Sequence, residues 1–274
     1  ILFTSKLDDY TRLKEIIGEI KSQVKMELSA SGHITAANRA LSYFSKGAAF
    51  KEATEGIAFY EFIEDIDRHF EDKKESLVKG MKESLAEALR KGNLTISYTG
   101  DNDISIYQDS IDHFIRKLST RPEHDIRKPW ELSKKNEGFK TASKVQYVAT
   151  AGNFVNGGYE YNGSMKVLQI IFSYDYLWQQ VRVKGGAYGC MCYFSKYGEA
   201  YFTSYRDPKL METYDVYLKA ADYVSKFNAS DRDMLKYIIG AISKVDTPLT
   251  PSGEGDYSFM AYQLGMSEED IQRD

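Results

Sequence analysis

Four histidines, two cysteines and one arginine–tyrosine pair are the places where this sequence could carry chemistry. His33, His69, His113 and His124 are scattered, and neither H-E-x-x-H nor H-x-x-E-H occurs. Those spacings put two metal ligands on one helix face, so no zinc-peptidase motif lies in this chain. Asp65 and His69 stand four apart on a predicted helix, a spacing that many solvent-exposed pairs share. Cys190 and Cys192 flank one residue, which on a strand sets both thiols on the same face. Without a histidine beside them they make at most a two-ligand metal half-site. Two cysteines give no disulfide framework, and a reducing compartment is the simpler inference. No G-x-S-x-G elbow, P-loop or dinucleotide fingerprint is present.

The run Arg182-Val183-Lys184-Gly185-Gly186-Ala187-Tyr188-Gly189 stands out. Arg182 ends a predicted helix, where its charge suits the dipole. Gly185 and Gly186 let the backbone turn sharply, and Tyr188 opens a strand. Five fixed guanidinium donors and a phenol can hold the carbonyl oxygens of an extended peptide. The same residues also fit an ordinary helix end whose arginine pairs with a local acid. The run goes from helix to strand, the reverse of a phosphate cradle.

The elements that must position these residues follow from periodicity. Tyr10, Leu13, Ile16, Ile17, Ile20 and Val24 predict a helix, and Ser29 to His33 break it. Further helices are predicted from Ala36, over 77–89 and over 111–118, with a strand over Leu94–Thr99. Apolar periodicity is lost between 119 and 144, where Arg121-Pro122 and Lys128-Pro129 read as a linker. Beyond it come a strand over Val145–Thr150, a Gly/Tyr loop over 157–163 and a helix from Val167 to Val181. Strands over Ala187–Phe194 and Ala200–Tyr205 form a hairpin around Lys196-Tyr197-Gly198. Helices over 210–221 and from Ser230 or Asp231 to Lys244 follow, then a loop over 247–253. This order predicts an α+β fold, an antiparallel-rich sheet with helices packed on one face.

The chain has 274 residues, enough for two modest domains. A net charge of −4 gives no reason to expect nucleic acid or an anionic membrane as partner, and no apolar run reaches membrane-helix length. The 21 tyrosines suit either binding surfaces or half-buried strands. The chain opens without Met in what reads as the tail of a strand, and Met266 to Asp270 read as a helix just begun. The expectation is a piece of a longer protein.

Tyr176-Leu177-Trp178-Gln179-Gln180-Val181 with the run just described closely resembles the corresponding stretch of presequence proteases, a branch of the insulinase family of zinc peptidases. Gly158-Tyr159-Glu160-Tyr161-Asn162-Gly163 and Ser204-Tyr205-Arg206-Asp207-Pro208 match in order, as do Ser31-Gly32-His33, Arg39-Ala40 and Ser42. The resemblance implies two-layer insulinase-type domains: the latter part of a third domain over 1–120, a linker over 121–144 and a C-terminally truncated fourth domain over 145–274. It implies a chain without catalytic or metal residues of its own, the zinc lying in the N-terminal half of the full-length protein. Arg182 and Tyr188 would bind substrate, with Gly185, Gly186 and Gly189 as the supporting loop. Partners would be a peptide substrate and that N-terminal half, in the cytoplasm or an organelle matrix, and this piece alone would be inactive. His33 is expected to be structural, a hydrogen-bonded turn residue. The competing readings are a non-catalytic pseudo-peptidase scaffold and a free-standing module that binds peptide at the edge of the Ala187–Phe194 strand.

Overall fold

The computed structural model describes residues 7–120, 131–141 and 143–273. His124, both linker Arg-Pro and Lys-Pro pairs and the opening Ile1 to Lys6 lie outside the described residues. The helices are α1 (Tyr10–Ala30), α2 (Gly32–Leu41), α3 (Lys46–Glu55), α4 (Ile57–Arg68), α5 (Phe70–Ala88) and α6 (Gln108–Ile115). Strand β1 (Ala149–Asn153), helix α7 (Ser164–Ile171), and strands β2 (Gly189–Phe194) and β3 (Glu199–Tyr205) follow. The chain ends with α8 (Met211–Leu218), α9 (Ala220–Ser225), α10 (Asp231–Val245), α11 (Pro251–Leu264) and α12 (Glu268–Arg273). Two compact units interleave in the sequence. One takes 1–20, 63–129 and 248–272; the other takes 21–62, 130–247 and the last two residues.

The first unit buries Leu13, Ile17, Ile63, Ile66, Phe70 and Val78, positions on one side of each parent helix. Lys14 covers the Phe70 ring at 5.6 Å, keeping its charge toward water. Leu94–Thr99 does not form the expected strand. No strand among the described residues pairs with it, and Ile96 is exposed, so its alternation has no sheet to join. The expected loop over 247–253 ends sooner, at Thr250, and its last three residues begin α11. Thr250 caps it by accepting from the Gly253 N–H at 3.2 Å, and Pro251 occupies the first turn, where its missing N–H costs nothing.

The second unit is built on an antiparallel sheet of order β1-β3-β2. Ala149 pairs with Thr203 and Asn153 with Glu199; Gly189 pairs with Tyr205 and Phe194 with Ala200. The first strand thus begins four residues later than the periodicity suggests, because β3 sets the register, and Gln146 joins Asp207 in a separate bridge. Side chains alternate faces along each strand. Cys190, Cys192, Phe194 and Phe202 meet the core of Val148, Phe172, Tyr176, Leu177, Val181, Ala187, Tyr217 and Ala220. Thr203 and Tyr205 face the other way, onto α2: the Thr203 hydroxyl donates to the His33 carbonyl at 3.2 Å. The α+β class is the expected one, and α2 gives the sheet a helix on its second face.

Several tyrosines are part of this core. Tyr217 donates to the Val148 carbonyl, Tyr176 to that of Val216 and Tyr223 to the Asp175 carboxylate. Each buries an apolar ring worth roughly 1.5–3 kcal/mol without leaving its hydroxyl unpaired. These three lie on helical turns, whereas Tyr201 and Tyr205 take the half-buried strand positions expected for tyrosine.

Candidate functional site: the Arg182 patch

After Ile171 the α7 backbone widens into π turns, Phe172–Tyr176 and Trp178–Val183. Lys184 N–H reaches back five residues to the Gln179 carbonyl at 3.0 Å. Such wide turns are uncommon and concentrate at functional positions. They carry Val181 and Leu177 into the core, while Trp178 and Arg182 rise together on the outer side. The helix closes with Gly186 N–H on the Arg182 carbonyl at 2.9 Å and Ala187 N–H on that of Val181 at 3.1 Å. Both glycines are required here. A Cβ on Gly185 would stand 2.2 Å from the Val181 oxygen, and Gly186 holds φ +87°. At Gly189 a Cβ meets only Tyr205 at an ordinary 3.6 Å, so backbone room is not demanded there.

The Arg182 guanidinium lies 4.0 Å from the centre of the Trp178 ring and 5.9 Å from that of Tyr188. Trp178 is 37% and Tyr188 68% exposed. Among the described residues no carboxylate stands within ion-pair distance of Arg182. The helix-end alternative needed such an acid, and the charge is held by two aromatic faces instead. Stacking leaves the guanidinium edge free to donate. The Trp178–Arg182 pair, four apart on one helix, was legible from spacing alone and was missed.

The aromatic row continues. The Tyr188 ring is 6.0 Å from Tyr205, and Tyr205 is 5.7 Å from Tyr147 and 4.9 Å, edge-on, from His33. Tyr205 and Tyr147 come together only through the sheet, so no local pattern announced them. His33 corrects its expected role. It sits in the first turn of α2, its carbonyl is bonded, but its ring Nδ1 is buried without a partner.

Burial among these rings lowers the His33 pKa below its ordinary value of 6.5. The unfolded chain then binds the extra proton first as pH falls past 6.5, so stability is full above that value and declines below it. The loss ends once pH passes the folded-state pKa. His33→Asn is expected to flatten the fall of Tm as pH drops below 6.5. An unchanged slope would remove His33 as its source.

The remaining candidates do not gather. Cys190 and Cys192 are free thiols on one face, as the spacing requires; burial pushes Cys190 up to about 11 and Cys192 further. They are protonated core groups. His69 contacts the exposed Asp65 at 2.9 Å, and Lys73 takes that carboxylate's other oxygen. His113 is exposed on α6. Among the described residues no three His, Cys, Asp or Glu side chains are placed to hold a metal ion.

A second polar cluster lies in the same unit. Arg39 donates to Glu52 at 2.9 Å and, through two nitrogens, to Glu137 at 2.8 and 3.1 Å. Tyr43 also bonds Glu137. Glu137 foremost raises the Arg39 pKa, and the Glu52 side chain is 5% exposed. The irregular segment 131–141 is thereby held to α2. This is an ion-paired structural group with no free donor set.

A sheet with helices against it and an arginine–tyrosine pair at the end of a widened helix fit the α+β class expected of an insulinase-type chain. Family comparison agrees: residues 136–274 match the PreP C-terminal domain, and residues 1–66 match the peptidase-associated domain of the same branch. The chain belongs to the presequence-protease family and carries its C-terminal part. It is 37% identical over 269 residues to Protein HypA of Clostridium perfringens, covering 98% of this chain and 27% of HypA. It is 29% identical over 269 residues to Presequence protease 1, chloroplastic/mitochondrial, of Arabidopsis thaliana, covering 97% and 25%. With the mitochondrial presequence protease of Saccharomyces cerevisiae it shares 25% over 266 residues, covering 91% and 27%. The chain spans about a quarter of the length of these relatives. Among the described residues no helix is long and apolar enough to cross a membrane.

Proposed function

We propose that this chain is the non-zinc-binding C-terminal part of a zinc endopeptidase for short unstructured peptides. Its domains are the latter part of a third insulinase-type domain over 1–120 and a fourth over 145–274. It helps enclose the peptide chamber and works in the cytoplasm or an organelle matrix. The catalytic zinc and its general base belong to the N-terminal half of the protein, its obligatory partner. Arg182 and Tyr188 contact the bound peptide, Arg182 donating to a backbone carbonyl and Tyr188 adding a hydroxyl.

One observation carries this reading: the Arg182 guanidinium is stacked on Trp178, flanked by an exposed Tyr188, and has no acid partner among the described residues. A scaffold needs no such free donor set. Gly185 and Gly186 support the pair by turning the chain directly from Arg182 toward Tyr188.

Tyr188→Phe removes only the hydroxyl and keeps the ring against Arg182. In the full-length enzyme it is expected to lower kcat/KM on a short peptide about threefold, roughly 0.6 kcal/mol for one neutral hydrogen bond. Kinetics identical to wild type would exclude the phenol as a substrate donor.

A further inference from the structure

The Arg182 patch has a second cation. The Arg206 guanidinium lies 5.4 Å from the centre of the Tyr205 ring, which also neighbours Tyr188. Arg206 is exposed, and among the described residues no carboxylate stands within ion-pair distance of it. The acid next to it in sequence is turned inward. Asp207 is 0% exposed and accepts from the Lys209 N–H and the Thr213 hydroxyl, each at 2.8 Å.

The backbone adds an independent sign. Arg206 is the one non-glycine residue among those described with left-handed backbone, at φ 49°. Glycine or asparagine adopts that conformation more readily than arginine. The Gln146–Asp207 bridge, with N–H to carbonyl bonds of 2.9 and 2.8 Å, fixes the turn from its far side. Packing does not explain a strained arginine at an exposed position, because its side chain fills no space in the core. Strain of this kind clusters at active sites and ligand clamps.

Two guanidiniums therefore stand along one aromatic row, with no acid among the described residues answering either. A carboxylate fits this deficit in charge and in shape, since a guanidinium fork bonds both its oxygens. We infer that Arg206, backed by the Tyr205 ring, is an anion subsite that takes a carboxylate of the bound peptide. The carboxylate comes from an acidic side chain or from the peptide C-terminus. This rests on the reading of Arg182 and Tyr188 as peptide contacts.

The test uses one short peptide in three forms: with a Glu, with that Glu replaced by Gln, and with the C-terminal carboxylate amidated. Both kcat/KM and Kd, by anisotropy of labelled peptide, are measured on the full-length protein and its variants. Arg206→Asn removes the charge at a position whose backbone asparagine tolerates. Wild type is expected to favour one of the two carboxylates by at least about fivefold, the arm that responds naming the source. In Arg206→Asn that ratio falls to about one, in Arg206→Lys it is partly kept, and high salt shrinks it in wild type. In Arg182→Ala the absolute rate falls while the ratio stays. A ratio near one in wild type, or one untouched by Arg206→Asn, overturns the subsite. An Arg182→Ala protein with full activity, or no turnover at all in wild type, overturns the peptide-contact reading instead, and the ratio of Kd values still decides the subsite.

Discussion

Replacing Arg182 by alanine in the full-length peptidase is expected to lower kcat/KM for a short peptide at least about tenfold, a loss of ~1.4 kcal/mol. The guanidinium is the charged donor held between the Trp178 and Tyr188 rings, and stacking at 4.0 Å fixes its plane before any ligand arrives. A donor positioned in advance spends nothing on reorganisation when charge develops on a carbonyl oxygen. Alanine removes the donors and leaves Trp178 and Tyr188 without the cation between them. The fold is expected to survive, because Arg182 forms no ion pair among the described residues and its carbonyl, which closes the helix, is kept. If the loss fell wholly on KM, Arg182 would bind ground state and transition state alike. If it fell on kcat as well, the contact strengthens during the reaction.

The largest effect on stability is expected at Arg39. Arg39→Ala strands Glu52, whose side chain is 5% exposed and whose Oε2 has no partner even with Arg39 present. Breaking a buried pair from one side typically costs about 3–5 kcal/mol, because the remaining charge stays desolvated. Glu52 keeps one bond, from the Ala58 N–H at 3.1 Å, so the lower end of that range applies. Glu137 is 26% exposed and can turn to water when Arg39 is lost. Urea unfolding of the variant reads the loss, and Arg39→Met combined with Glu52→Gln should recover most of it. A single variant as stable as wild type would show that the Arg39–Glu52 pair does not contribute to stability.

Legibility in the sequence followed the range of the interactions. Val167 to Val181 announced their helix, and Gly185-Gly186 its end, because both signals are local. Cys190 and Cys192 were placed on one face by a period of two, and the core confirms that face. The α11 start was equally local, yet Thr250-Pro251 was read as loop chemistry because proline marks both. The π turns left no trace, since the apolar spacing of an ordinary helix and that of a wider turn coincide over so few residues. Arg39 could not be read at all: its partners lie 13 and 98 positions away. The stacking of Arg182 likewise needed the structure, because sequence cannot show that no acid among the described residues approaches it. The role proposed for it rests on the motif, and the geometry is compatible with that role.

The most direct measurement of the substrate-contact role places a photo-crosslinking residue at the patch. Tyr188→p-benzoylphenylalanine, in full-length protein stripped of zinc with a chelator, is irradiated with a labelled peptide, and the label is mapped by mass spectrometry. The account predicts that the peptide is joined at position 188 and that excess unlabelled peptide prevents it. A peptide that is cleaved once zinc is restored, yet never joined at position 188, would contradict it.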